Sequence, residues 1–293
     1  MKYAMDEATL YEQAQKGTGS SRGVSYWGVS SMCGRQRNLI QLHKEVHEMH
    51  DVSVVKTIGT LYHWLHEQWA EGKIDKTLML CSSEIQDAEW TEALRLFTFY
   101  RQNRDLDYFG QIIGSEVNLP IDDAHRKNIA DFMGMAVDDP DVPTGQVDRI
   151  VHLDAEACDR IEFAYELTLR GPGLYIHDHK TASSRKGADA IKADWTDTVQ
   201  AMAYPVLYNL GPKHVGRVKG MIFDGIIKHK VLDQKRSFQV GFAPYYEENA
   251  DIVKAAILEA KYQRDRNVAN PYACYNKYGR PCGFLENGLC PRK

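Results

Sequence analysis

Long apolar runs, a basic excess and repeated segments are all missing from this chain of 293 residues. No apolar run approaches the roughly 20 residues that a membrane-spanning helix needs, and residues 1–7 lack the apolar core of a signal peptide. The net charge of −4 argues against a broadly basic nucleic-acid coat, although it leaves room for a local basic groove. We therefore expect a cytoplasmic protein that does not contact a membrane.

Because repeats and low-complexity linkers are absent, the chain is expected to form one domain, and its hydrophobic pattern is typical of the α/β class. A mostly helical lead-in (1–110) carries Cys33 and His63, a sheet core covers 111–243, and a helix with a cysteine-rich tail covers 244–293. The predicted helices are 33–43, 57–71, 87–104, a helix capped by Asp194, and 245–266. The predicted strands are 111–119, 128–137, 145–153, 161–169, 173–181, 215–228 and 237–242.

Strand 173–181 carries Asp178 and Lys180 near its end. Side chains alternate along a strand, so this carboxylate and this ammonium project from the same face. An isolated Asp-x-Lys usually forms an ordinary ion pair. Strand 145–153 adds a third charged group, Asp148, on an otherwise partly buried segment. Two carboxylates can chelate a hard divalent cation, and a neighbouring ammonium can offset charge on a phosphate. The combination is typical of metal-dependent phosphodiester hydrolysis.

Helix 57–71 places Gly59, His63 and Glu67 along one narrow strip, because the three residues follow one another at intervals of four. In isolation this spacing indicates a His–Glu pair on a helix surface. Beside two aspartates, His63 could instead add a nitrogen ligand, which suits Mn²⁺ somewhat better than Mg²⁺.

Taken together, these motifs resemble those of the PD-(D/E)XK nuclease superfamily, and within it the RecB-type exonucleases. Each motif is weak alone, but four occur in the family's order on the expected kinds of element. The matching residues are Gly59, His63 and Glu67 in a helix, Gly145, Val147, Asp148 and Arg149 in a strand, Asp178, Lys180 and Thr181 in a strand, and Gln200 and Tyr204 in a helix.

The resemblance implies a restriction-endonuclease-like core, with a mixed central β-sheet flanked by helices. It also implies a DNA exonuclease that uses Mg²⁺ or Mn²⁺ on single-stranded DNA or DNA ends, alongside a helicase, CRISPR adaptation or phage recombination partner. A non-catalytic DNA-end-binding or scaffold module of the same fold is the alternative.

The residue roles that the resemblance implies fall into three groups. The catalytic residues are Lys180, Asp178 and Asp148. The metal ligands are His63, Asp148, Asp178 and the backbone carbonyl of His179, with Glu116 as a further candidate. The residues that bind DNA or brace the site are Gln200, Tyr204, Arg149 and Glu67.

One feature departs from the pattern. Asp148 and Asp178 are 30 residues apart, which is longer than a simple hairpin requires. The predicted strand 161–169 would absorb the excess, and Asp154 or Asp159 would be the alternative acid if the register differed.

Six cysteines in a cytoplasmic chain are expected to be thiols or metal ligands rather than disulfides. Some RecB-type nucleases, including AddB proteins and CRISPR-associated exonucleases, hold a 4Fe–4S cluster with one cysteine before the motifs and three after them. That layout fits Cys33, Cys274, Cys282 and Cys290, and it would close the tail onto Cys33. The steps of eight residues are wider than the Cys-x-x-Cys familiar in that family. Zn²⁺ or free thiols are the alternatives, while Cys81 and Cys158 are predicted core residues.

Overall fold

The computed structural model describes residues 9–13, 58–74, 87–139, 141–184, 187–212 and 216–265. The predicted helix 33–43 and the cysteine-rich tail lie outside these residues. Residues 9–13 are helical, and Leu10 is fully buried. None of the helices in the described part of the chain combines the length and apolarity needed to cross a bilayer.

The chain forms a five-stranded mixed sheet flanked by helices, which confirms the α/β class. The strands are β1 (Gln111–Leu119), β2 (Gly145–Leu153), β3 (Gly173–Ser183), β4 (Val218–Lys228) and β5 (Phe238–Pro244). They lie in sequence order, with β3 and β4 parallel and the other neighbours antiparallel. The helices are α1 (Ile58–Ala70), α2 (Ala88–Asn103), α3 (Asp123–Met133), α4 (Ala155–Tyr165), α5 (Ala188–Thr196), α6 (Val199–Asn209), α7 (Gln234–Ser237) and α8 (Asn249–Asp265).

Two predicted strands are wrong, because both segments are helical. The segment predicted as strand 128–137 belongs largely to α3, which Asp122 caps by accepting a hydrogen bond of 2.7 Å from the His125 amide. Gly134 ends this helix in the left-handed conformation, at φ 72°. The segment predicted as strand 161–169 overlaps α4, which Asp154 caps through the Ala157 amide at 2.8 Å. In each case a side-chain cap fixed the helix start.

Helix α4 also accounts for the 30 residues between Asp148 and Asp178. It connects β2 to β3, which pair directly as antiparallel neighbours, so no additional strand is inserted between them. The alternative acids are unsuitable, since Asp154 caps α4 and Asp159 is exposed on it. Asp148 therefore remains the acid that faces β3.

The helix expected after Asp194 is divided into two. Asp194 lies inside α5 and does not cap it, because the N-cap residue of α5 is Gly187. Thr198 caps α6 by accepting a hydrogen bond of 3.1 Å from the Ala201 amide. Helix α6 carries Gln200, Tyr204 and Pro205.

Both faces of the sheet are covered by helices. On one face, α6 packs on Ile150, Ile176 and Phe223. The other core includes α1 and α2, whose apolar side chains cluster with Ile226 and Phe238. Three charged groups of the candidate site, Asp148, Asp178 and Lys180, come from the sheet, and a histidine comes from α1.

Candidate active site

Asp178 and Lys180 project from the same face of β3, as the alternation predicted. The Lys180 Nζ lies 2.6 Å from Asp178 Oδ2. Asp178 is buried, whereas Lys180 is partly exposed. Burial raises the pKa of Asp178, Lys180 opposes that effect, and the charge of Asp148 raises the pKa further. The net shift of the pKa is upward, so the fold disfavours the charged form of the Asp178 carboxylate in the absence of a cation.

Asp148 stands next to this pair across the strand interface. Arg149 pairs with His177 in the β2–β3 register, so the next position along places Asp148 opposite Asp178. Asp148 Oδ2 accepts a hydrogen bond of 3.0 Å from the His179 amide. Burial would raise the pKa of Asp148, but His63, Lys180 and this amide together hold it well below its usual range.

Helix α1 brings the third element. His63 Nδ1 lies 2.9 Å from Asp148 Oδ2. Burial tends to lower the pKa of His63, but Asp148 outweighs burial and raises it overall. Gly72 ends the helical segment, at φ 71°, as expected for a residue that follows a helix C-terminus.

The two glutamates predicted for the site, Glu67 and Glu116, both lie beside His63 and Asp148. Glu67 and Glu116 line a cavity of about 10 Å³ together with His63, Ser115 and Asp148, which is close to the space of one water molecule. Glu116 lies opposite Asp148 in the β1–β2 register, between the pairs at 115 and 117. Its backbone is left-handed, at φ 49°, a conformation that is uncommon for a glutamate within a strand.

Tyr204 is buried beside the two aspartates. Burial raises its pKa to about 12, and the charges of Asp178 and Asp148 contribute in the same direction. The ring belongs to the core between α6 and the sheet. With Gln200 one turn earlier on the same helix, this geometry fits a bracing role for Tyr204 better than direct contact with DNA.

Arg149 also points away from solvent. It is 3% exposed, and its Nη2 donates a hydrogen bond of 2.8 Å to the backbone carbonyl of His66. A guanidinium in this position holds α1 against β2 and is not available to contact DNA. Of the two roles expected for Arg149, the structure therefore favours bracing.

Sequence reasoning missed a second polar cluster, on the opposite face of β3. It contains His177 and His179 from β3, Asp224 from β4 and Arg104 at the end of α2. Asp224 lies inside β4, which continues through it without a break. The sequence did contain a signal for this cluster. Asp224 is a carboxylate within an otherwise apolar strand, and such a buried charge requires a buried partner.

The predicted cluster cysteines Cys33, Cys274, Cys282 and Cys290 lie outside the described residues, as does Cys81. Cys158 is buried on α4, which agrees with its prediction as a core residue.

Comparison with known proteins identifies no relative: no family model, curated protein or solved structure significantly matches this chain. Function must therefore be argued from the residues and their arrangement.

Proposed function

We propose that this protein is a divalent-metal-dependent DNA exonuclease of the PD-(D/E)XK, RecB-like type. One observation carries the proposal. His63 contacts Asp148 at 2.9 Å and Lys180 contacts Asp178 at 2.6 Å, and the β2–β3 register places the two aspartates opposite each other, although the groups come from three different elements. The mixed sheet flanked by helices is compatible with a restriction-endonuclease-like core.

The residues present fit a hard divalent cation. Asp148 and Asp178 offer carboxylate oxygens, His63 an imidazole nitrogen, and His179 a backbone carbonyl, all of which are accepted by Mg²⁺ or Mn²⁺. The raised pKa of Asp178 supports this, because a cation would relieve its repulsion with Asp148. When bound, such an ion lowers the pKa of a water molecule and polarises a phosphoryl oxygen.

The protein's own groups would complete the reaction. The ammonium of Lys180, held beside Asp178, would orient a water molecule and stabilise negative charge that builds on the phosphate. Tyr204 and Gln200 would brace the carboxylates from α6. Arg149 would hold α1 so that His63 stays beside Asp148.

Basic residues lie beyond the lysine end of the sheet, where DNA phosphates would be bound. Lys228 pairs with Ser183 at the end of the β3–β4 ladder, and the next turn exposes Lys230, Lys235 and Arg236. Such groups bind phosphates through charge and counterion release.

The proposed substrate is single-stranded DNA or a DNA end, the proposed location is the cytoplasm, and a helicase, CRISPR adaptation or phage recombination system is the proposed setting. A 4Fe–4S cluster, or Zn²⁺, is proposed at the four cysteines.

The decisive experiment is a nuclease assay on labelled single-stranded and duplex DNA with blocked 5′ or 3′ ends, in Mg²⁺ or Mn²⁺. Lys180→Ala is expected to lose about 100-fold or more of the activity, comparable to removing one transition-state donor. The matched control is Lys73→Ala, because Lys73 also pairs with a carboxylate two residues away, Glu71, but on the surface.

Full activity in Lys180→Ala would contradict the role given to this lysine. If the wild-type protein binds DNA tightly but cleaves none in either metal, the chain is a DNA-end-binding or scaffold module instead.

A further inference from the structure

The buried polar cluster behind the candidate active site has its own geometry. His179 pairs with Asp224 across the parallel β3–β4 ladder, and His177 lies two residues before His179 on the same face. The side chains of all three are at most 2% exposed. Asp224 Oδ2 lies 3.6 Å from His177 Nε2 and 3.6 Å from His179 Nδ1. One ligand atom from each residue lies within 4.8 Å of the other two.

Those distances are too long for hydrogen bonds and close to the spacing of metal ligands. An N–H···O bond spans about 2.7–3.2 Å. Two ligands at about 2.0–2.1 Å from a tetrahedral ion lie about 3.3–3.4 Å apart. The Asp224 carboxylate oxygen is therefore already separated from each imidazole by nearly the distance that a shared ion would impose.

The imidazoles also lack the partners that buried polar groups normally have. Among the described residues, neither ring nitrogen of His177 or of His179 has a hydrogen-bond partner. Leaving such buried groups unpaired is costly, so native structures rarely do it. His125 shows the usual arrangement, since its Nδ1 accepts from the Ile121 amide at 3.2 Å and its Nε2 lies 2.8 Å from the Leu207 carbonyl. The four unpaired nitrogens thus point to a ligand.

The charges of the cluster suit a cation at Asp224 Oδ2. Burial would raise the pKa of Asp224, but Arg104 and its other partners lower it, so the carboxylate is ionised. Arg104 contacts Oδ1, whereas Tyr100 donates to Oδ2 at 2.5 Å. A carboxylate oxygen accepts two bonds, so Oδ2 keeps a lone pair for an ion.

We propose that His177, His179 and Asp224 bind a structural divalent transition metal, with Zn²⁺ as the expected ion, on the face of β3 opposite the candidate active site. Two imidazoles and one carboxylate form a donor set that zinc accepts. The ion would tie β3 to β4 directly behind Asp178 and would be taken up on folding, because the site is closed to solvent. The proposal does not depend on the nuclease function or on the cysteines.

The test is the metal content of purified, folded protein after dialysis against excess Mg²⁺, measured by plasma mass spectrometry. His177→Gln and His179→Gln are each expected to lose one equivalent of zinc per chain relative to wild type. His125→Gln, at a buried histidine with both nitrogens paired, and Asp148→Asn, in the candidate active site, are expected to keep it. Iron with the same stoichiometry and the same variant dependence would also support the site.

Spectroscopy covers the case in which the histidine variants do not fold. Zinc-edge X-ray absorption of the wild-type protein is expected to show a nitrogen and oxygen shell with imidazole scattering. A shell of sulfur alone would assign all zinc to the cysteines and overturn the proposal. It would equally be overturned by wild-type protein without zinc or iron, or by His177→Gln and His179→Gln variants that retain the full metal content.

Discussion

Arg149 and His66 join the sheet to the helix above it, because the guanidinium donates a hydrogen bond of 2.8 Å to the His66 backbone carbonyl. His66 lies one turn beyond His63, on the helix that delivers His63 to Asp148. Arg149 directly follows Asp148 in the sequence motif. Strand β2 therefore supplies both an acid of the candidate site and the clamp, Arg149, that holds α1 against the sheet.

The first prediction concerns this clamp. Arg149→Met keeps most of the apolar stem but removes the charged donor, so we expect the free energy of unfolding to fall by about 1.5–3 kcal/mol. The measurement is urea denaturation. Arg160→Met is the control, because Arg160 donates the same kind of bond, 2.8 Å to the Tyr108 carbonyl, from an exposed position. That variant is expected to change stability by less than about 0.5 kcal/mol. Unchanged stability with weakened DNA binding in Arg149→Met would show instead that Arg149 contacts DNA.

The second prediction contrasts two buried aspartates. The pKa of Asp178 is raised, mainly by burial, so its charged form is disfavoured in the fold. The pKa of Asp224 is lowered because Arg104 and its other partners outweigh burial. In EDTA, Asp178→Asn is therefore expected to stabilise the protein. Asp224→Asn is expected to destabilise it by about 3–5 kcal/mol, since Arg104 loses its buried partner.

Chemical denaturation of both variants checks these opposite signs, and the nuclease assay supplies the second measurement. Asp178→Asn should lose activity although it gains stability. A loss of stability of similar size in both variants would contradict the electrostatic account.

The third prediction is a pH dependence that arises from a histidine outside the candidate active site. His125 joins α3 to α6 through the Leu207 carbonyl. Burial lowers its pKa below 6.5, more than Leu207 and Asp122 raise it. Below about pH 6.5 the unfolded chain therefore binds a proton that the folded protein rejects. The stability that His125 contributes is complete above this pH, and it declines as the pH falls towards the lowered pKa.

The free energy of unfolding of wild type and His125→Gln, measured from pH 7.5 to 5, tests this sign. The difference between the two proteins is expected to shrink as the pH falls. A difference that stays constant or grows on acidification would contradict the prediction.

How far the sequence predicts this structure depends on whether the signal is local. Strand β3 and the pairing of Asp178 with Lys180 follow from side-chain alternation alone, and helices α1 and α2 follow from apolar spacing. The strand predictions for 128–137 and 161–169 are wrong because the apolar pattern of each segment does not include the helix cap that lies upstream. Asp122 and Asp154 precede α3 and α4 by one residue each, and their side chains decide the outcome.

The cluster around Asp224 could not be predicted from local pattern. Its charge is balanced by Arg104, which lies 120 residues earlier in the sequence, and neither residue belongs to a recognisable motif. Helix α2 and strand β4 must pack before the pair forms. The contact between His63 and Asp148 also joins residues remote in sequence, but there the motif order indicated that the two would meet.

The last prediction tests why Glu116 adopts a left-handed backbone beside the site. At φ 49° the left-handed backbone of a residue that carries a Cβ is roughly 1–2 kcal/mol less favourable than the ordinary right-handed one. Glu116→Gly is therefore expected to be more stable than Glu116→Ala by about 1 kcal/mol. If the carboxylate serves the reaction, both variants should lose nuclease activity to the same extent, because both lack it.

Glu166 provides the matched comparison, since it also has a positive φ, 52°, at the C-terminal end of α4. Glu166→Gly should exceed Glu166→Ala in stability by a similar margin, with no change in nuclease activity for either variant. Such a result would separate backbone relief, which both positions share, from chemistry, which only Glu116 is placed to perform. Full activity in both Glu116 variants would remove this residue from the site, and equal stability of the glycine and alanine variants would show that the backbone is not strained.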